Sequence, residues 1–265
     1  MKRRIFAIGA PNRPVLMIVA ALALLSAGSC SPAKEGKAPQ APSQTQTGAG
    51  VDSGWVTPPL IESVERTASG LRVRGHAAPQ GRVVLRAAGG TAYAIGADDG
   101  GRFDLEIRTP ATDTLFMVEA QNGQEASPAP YQMLVSHDAG GPTALLSSGA
   151  PTRRMGRAGS LDVVDSDGHA LLASGRATPG TSVSIAAAGR APVQVRTGPD
   201  GRWKVILTSE GAGPAEIVVA GRRYAYPGPS LGDSGALVIA SNPQGWSVSW
   251  PIPPRSRQAS WFPVE

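Results

Sequence analysis

Several groups of residues in this 265-residue chain have the types and spacing to do chemistry. Cys30 is the only cysteine, so its thiol is free of any disulfide within the chain. Gly232-Asp233-Ser234-Gly235 presents a hydroxyl between glycines, as an acyl-transfer nucleophile would be presented. That chemistry needs an imidazole within reach of the serine and a carboxylate to orient it. The three histidines are His76, His137 and His169, and none stands in a motif that would bring it there. Asp162, Asp165 and Asp167 precede Gly168 and could converge on a hard cation. The order of an EF-hand loop and its distal glutamate are missing, however, and three scattered histidines without cysteine partners make no zinc site. Both segments are expected to be turns, with no metal and no cofactor. Trp246, Trp250 and Trp261 could stack on sugar rings or pack inward. Three short basic clusters, Arg153-Arg154 with Arg157, Arg222-Arg223, and Arg255 with Arg257, could grip a phosphate or an acidic partner if two of them converge.

The surroundings of Cys30 say the most. Lys2, Arg3, Arg4 and Arg13 precede an apolar run from Val15 to Leu25, and the small residues Ala27-Gly28-Ser29 lead to the cysteine. This is the order of an export signal: basic start, short apolar stretch, small-residue cleavage site. From Val15 to Ser29 the run is shorter than the about 20 residues that span a bilayer comfortably. With a cysteine after the cleavage site, the segment resembles the lipobox of bacterial lipoproteins. That resemblance implies cleavage before Cys30, a diacylglycerol on its thiol, and attachment to a membrane of the cell envelope. Ser31, rather than an aspartate, then implies the outer membrane, facing the periplasm. An ordinary signal peptide followed by a free cysteine is the alternative.

Charge adds an exclusion. The chain has 25 Lys and Arg against 20 Asp and Glu, but four of the cations precede Cys30, leaving 21 against 20. So balanced a chain gives no warrant for a nucleic-acid partner. Residues 31–54 are mostly Pro, Ala, Gln, Gly, Ser and Thr with almost no large apolar side chain, a composition that reads as a flexible tether.

The elements that must position everything else repeat at an offset of 100 residues. Gly75, Ala77, Pro79 and Val83 recur as Gly175, Ala177, Pro179 and Val183, and Gly101-Arg102-Phe103 recurs as Gly201-Arg202-Trp203. Each copy alternates as half-buried strands do, in Leu71–Gly75 and again in Phe103, Leu105 and Ile107. Asp98–Gly101 and Pro199-Asp200-Gly201 are turns, and Asn122-Gly123 separates two further strands. Near the end, Asn242-Pro243-Gln244-Gly245 predicts a hairpin with Trp246, Val248 and Trp250 on one face. The following Pro251–Pro254 segment reads as an extended tail, and the Trp face as the surface that docks the hairpin onto the second repeat.

The pattern Gly-x-Ala-x-Pro-x-x-x-Val, followed by Asp-x-Gly-Arg-aromatic, resembles the bacterial Ig-like module of secreted and surface proteins. It is clearest in Gly175–Val183 and Asp200–Trp203; the first copy has Gln80 in place of the glycine at 180 and one extra residue in its turn. The resemblance implies a β-sandwich in each copy and an envelope role, without an activity. The expectation is therefore an all-β protein: signal peptide 1–29, linker 30–54, sandwich 55–138, inter-domain linker 139–158, sandwich 159–230, and C-terminal hairpin and tail 231–265. It is expected to be a non-enzymatic spacer or interaction module, attached to the membrane through lipidated Cys30, with an envelope protein or peptidoglycan as partner. The alternatives are a carbohydrate- or peptidoglycan-binding module using Trp246, Trp250 and Trp261, and, more remotely, a serine hydrolase at Ser234.

Overall fold

A glycine in the middle of a strand is what organises each repeat. In the computed structural model, which describes residues 57–122, 125–156, 159–187, 190–207, 211–232, 235–252 and 256–264, Gly75 faces Phe103 across two antiparallel strands and Gly175 faces Trp203 in the same way. A Cβ at either glycine would lie 2.0 Å from a backbone carbonyl oxygen, that of Leu60 in the preceding strand or of Ser160 just before one, and under 3 Å from the aromatic ring. The missing side chain is thus the seat of the ring, the arrangement by which an aromatic covers a strand glycine. The two halves of the repeated motif also bond each other: Ala77 N donates to Gly101 O at 2.8 Å, and Ala177 N to Gly201 O at 2.9 Å. Gly101 and Gly201 hold φ of 78° and 73°, a region open to glycine at little cost.

Around these pairs the first repeat forms strands β1 (Leu60–Arg66), β2 (Leu71–His76), β3 (Arg82–Ala87), β4 (Ala92–Gly96), β5 (Arg102–Ile107), β6 (Thr114–Asn122) and β7 (Glu125–Val135). Next come β8 (Thr143–Leu146) and β9 (Arg153–Arg154). The second repeat supplies β10 (Val163–Ser166), β11 (Leu171–Arg176), β12 (Ser182–Ala187), β13 (Val193–Arg196), β14 (Arg202–Leu207), β15 (Ala215–Val219) and β16 (Arg222–Tyr226). The chain closes with β17 (Val238–Asn242), β18 (Gly245–Ile252) and β19 (Ser256–Pro263).

Each repeat is an Ig-like sandwich of three strands on four: β1-β2-β5 against β4-β3-β6-β7, and β10-β11-β14 against β13-β12-β15-β16. Inward-facing residues of the first pair of sheets, among them Ile61, Val73, Phe103, Phe116 and Met133, make one core. Leu161, Ile185, Trp203, Ile217 and Tyr226 belong to the second. All pairings are antiparallel, and the expected hairpins are present: β6 and β7 pair out to Asn122 and Glu125, β17 and β18 out to Asn242 and Gly245. Asn242 Oδ1 accepts from the Gln244 and Gly245 amides, both at 2.9 Å, which fixes the second turn.

The expected linker and tail are different from their sequence reading. Within the stretch 139–158 that read as a linker, the described residues form β8 and β9, which extend the four-stranded sheet of the first sandwich to β4-β3-β6-β7-β8-β9, and Met155 enters its core. The C-terminal tail is also a strand. β19 pairs with both β10 and β18, so the second sandwich's three-stranded sheet becomes β14-β11-β10-β19-β18-β17. These two extensions pack face to face. Leu134, Ala144 and Leu146 from β7 and β8 meet Val163, Val248, Trp250 and Phe262 in a third core, with Trp246 at its margin. The hairpin's Trp face therefore docks on the first sandwich, not on the second as expected, because its backbone is already committed to the second. Residues 52–265 fall in one compact unit.

Trp250→Ala should cost roughly 3–5 kcal/mol, the usual range for emptying a buried tryptophan site. The variant should also convert a single urea-unfolding transition into two, as the sandwiches part; one unshifted transition would show that the third core contributes nothing.

Candidate functional site

The tryptophans singled out in the sequence are placed by β18 and β19. Trp250 is 3% exposed and Trp261 2% exposed. Trp261 packs edge-on against Tyr226, with ring centroids 5.6 Å apart, inside the second core. Trp250 lies in the third core, and its indole N–H donates to Ser260 Oγ at 3.4 Å. Stacking on a sugar needs an open ring face, so Trp250 and Trp261 are corrected from ligand contacts to packing residues. Trp246 is half-buried at the edge of the third core.

Beneath these rings lies a buried polar knot that the sequence read as a turn or a fragment of a calcium loop. The three aspartates diverge. Asp167 Oδ1 accepts from the amides of His169 and Ala170, at 2.8 and 3.0 Å, and this one does close a turn. Asp162 faces Arg176, whose Nε donates to its Oδ2 at 2.8 Å, with Arg202 at 3.7 Å. Asp165 points between the sandwiches. Its Oδ1 accepts from Ser260 Oγ at 2.6 Å and its Oδ2 from the Thr152 amide at 2.8 Å. Asp165 has no cation paired to it among the described residues. Burial pushes its carboxyl above the usual range, against the hydrogen bonds from Ser260, Thr152 and Gln258. Burial likewise raises Asp162, against the pull of Arg176, Arg202 and Arg154. Through Asp165 the β8–β9 connection, β10 and β19 are tied at one point.

The remaining candidates are dispersed. His76 Nε2 sits 3.5 Å from Glu62, and His137 Nδ1 sits 2.8 Å from Asp113 Oδ1. Burial would raise Asp113, but hydrogen bonds from the His137 ring and amide and from Ser136 outweigh it and hold the carboxyl below the usual range. Ser136 Oγ bonds that carboxylate at 2.9 Å rather than the imidazole, which is not the arrangement that activates a serine. Cys30 and Ser234 lie outside the described residues, as do Arg157 and Arg255. Among the described residues, the members of the basic clusters engage separate partners. Arg223 pairs with Glu216 at 3.2 Å and Arg222 lies over the Tyr224 ring. Arg154 donates to Pro263 O at 2.9 Å, and Arg257 Nε to Leu231 O at 2.6 Å.

What the sequence did not assemble is a cleft of about 570 Å³ where the β8–β9 connection faces β11, β13 and β14. Arg153, Arg196, Arg202 and Lys204 line it beside Pro151, Val195 and Trp203. Three of its polar groups, Arg153 Nε, Ser174 Oγ and Trp203 Nε1, are buried without a hydrogen-bond partner among the described residues. These cations come from three separated stretches of chain, so no local cluster announces them. The available signal was positional: at an offset of 100, Lys204 stands opposite Asp104 and Trp203 opposite Phe103.

No protein-family model matches the chain, and no curated protein matches it.

The raised carboxyl of Asp165 has a signed consequence. A carboxyl that binds its proton more tightly when folded contributes most below its unfolded value near 4, and that contribution is lost as pH rises through the folded value. The stability difference between wild type and Asp165→Asn should therefore shift against wild type as pH rises from about 3.5. Urea midpoints of both proteins across pH 3.5 to about 8 check this; a difference that is constant or moves in wild type's favour refutes it.

Proposed function

We propose that this chain is a non-enzymatic, lipid-anchored protein of the bacterial cell envelope, attached through Cys30 to the outer membrane, facing the periplasm. In this reading, residues 31–54 are a tether and the double sandwich is a spacer and interaction module for an envelope protein or for peptidoglycan. The observation that carries the spacer role is the third core. Two sandwiches strung on a pliant linker would bend freely, whereas here β8 and β19 are built into adjoining sheets that share apolar side chains. Such a body holds a fixed span, which is what a stand-off element needs. The anchoring half of the reading is supported by the sequence order of basic start, apolar run, small residues and Cys30. A single acyl group binds membranes only marginally; a diacylglyceryl cysteine carries two chains, which is the threshold for stable attachment.

The test is the intact mass of the membrane-extracted protein beside a Cys30→Ala variant. The expected mass is that of a chain beginning at Cys30 plus lipid, absent in the variant, which should remain with its uncleaved leader. An unlipidated wild-type mass would remove the anchored-spacer reading.

A further inference from the structure

The cleft beside Trp203 has a twin, and the contrast between the two is informative. The first sandwich has a hollow of about 460 Å³ at the same place, lined by Arg74, Gly75, Arg102, Phe103 and Asp104, with Glu62 and Asp98 close by. In that hollow the charges neutralise one another: Arg72 and Arg74 both bond Asp104, at 2.7 and 3.3 Å, and His76 lies against Glu62. In the second sandwich, Lys204 replaces Asp104 and Gly198 replaces Asp98, while Arg153 and Arg196 join from outside the equivalent positions. Asp162, the counterpart of Glu62, is turned to Arg176 and Arg202. No acidic residue lines the cleft, and Arg153, Arg196 and Lys204 have no ion-pair partner among the described residues.

We propose that this cleft is a binding site for a small organic ligand bearing a carboxylate or phosphate group. Its volume lies within the range of about 300–1,000 Å³ typical of small-molecule sites, and it sits at a junction between domains, where such sites concentrate. Of the four cations only Arg202 has carboxylates nearby, Asp162 at 3.7 Å and Asp200 at 3.8 Å, and its guanidinium is still held below its ordinary value, first by burial and then by Arg176 and Arg153, against the pull of those two carboxylates. An oxyanion offsets that repulsion. The exposed heads of Arg196 and Lys204 can only donate, while carboxylate and phosphate oxygens only accept; Trp203 Nε1 and Ser174 Oγ, in residues of the same lining, are shielded from water and without a partner among the described residues. Pro151, Ala150 and Val195 give the cleft an apolar wall, which suits the carbon skeleton of an organic anion over a bare ion. The inference does not depend on the membrane anchor.

The experiment is calorimetric titration of the purified full-length protein with inorganic phosphate, glucose 6-phosphate, glucuronate and, as neutral control, glucose. At least one of the two organic anions should bind with a Kd below about 1 mM at low salt, weakening as salt rises, while glucose does not. The two organic probes separate a phosphate from a carboxylate ligand; inorganic phosphate binding as tightly as both would overturn the organic-ligand assignment. Lys204→Asp restores the first sandwich's own residue at an exposed position and should weaken binding by about tenfold or more, with Arg196→Ala several-fold weaker and Lys204→Arg close to wild type. Binding by neither organic anion, equal binding of glucose, or an unchanged affinity in Lys204→Asp would each overturn the proposal.

Discussion

The structure depends on strands that are buried on both faces. β8 and β10 are buried at every position, although each is only four residues long. In β8, Leu145 faces the first sandwich's core while Ala144 and Leu146 face the third. In β10, Val164 faces the second core and Val163 the third. A sheet with one solvated face writes itself as alternation; a strand between two layers cannot. This pair of strands turns two sandwiches into a four-layered stack, and removing either would expose apolar surface on the facing sheet as well as on its own.

That arrangement also disposes of sheet edges. Without additions, β7 and β10 would each present an open edge, an invitation to pair with another chain. β8 covers the first and β19 the second. The new edge β9 is two arginines long, and a short, charged edge is a poor template for further pairing. The cost of bringing backbone and polar side chains into the seam is met locally: Asp165, Thr152, Ser260 and Trp250 form one hydrogen-bonded chain. Asp165 without a cation is the expensive member, since an ionised carboxylate in such a place relies on neutral donors alone. It joins three parts of the chain that are far apart in sequence, and a wholly apolar seam would not impose that registration.

The two sandwiches were legible because their signals are local. Gly75 and Phe103, or Gly175 and Trp203, sit in motifs of fixed spacing, and the turns at Asp98–Gly101 and Pro199–Gly201 carry their own chemistry. The hairpin was legible for the same reason, down to the shared face of Trp246, Val248 and Trp250. What that face meets was not. Pro251–Pro254 suggested an extended tail, and an extended chain is indeed what β19 needs on the far side of those residues, but its pairing with β10 is a contact across almost 100 residues. Thr143–Leu146 gave too short an apolar run to be told from a linker, because two-sided burial removes the alternation by which strands are recognised. Asp165 illustrates a different limit: Asp162–Gly168 read as a turn, and Asp167 does close one, whereas Asp165 lies in β10 and bonds Ser260 and Asp162 turns to Arg176.

The two copies repeat one pattern but differ at a few positions, and those differences explain why the proposed cleft lies in one of them. Both sandwiches have the hollow that forms where the arginine of the Gly-Arg-aromatic turn, Arg102 or Arg202, lies beside the glycine–aromatic pair. In the first, acids and bases close that hollow electrostatically. In the second, the β8–β9 connection provides a further wall, pinned there by the Thr152 amide on Asp165. The contact that fuses the two sandwiches therefore also builds the cleft: Pro151 and Thr152 line its wall, and Arg153 follows directly into it. A second sandwich in isolation would retain Arg202, Trp203 and Lys204, but not the wall that turns a charged sheet face into a concave site.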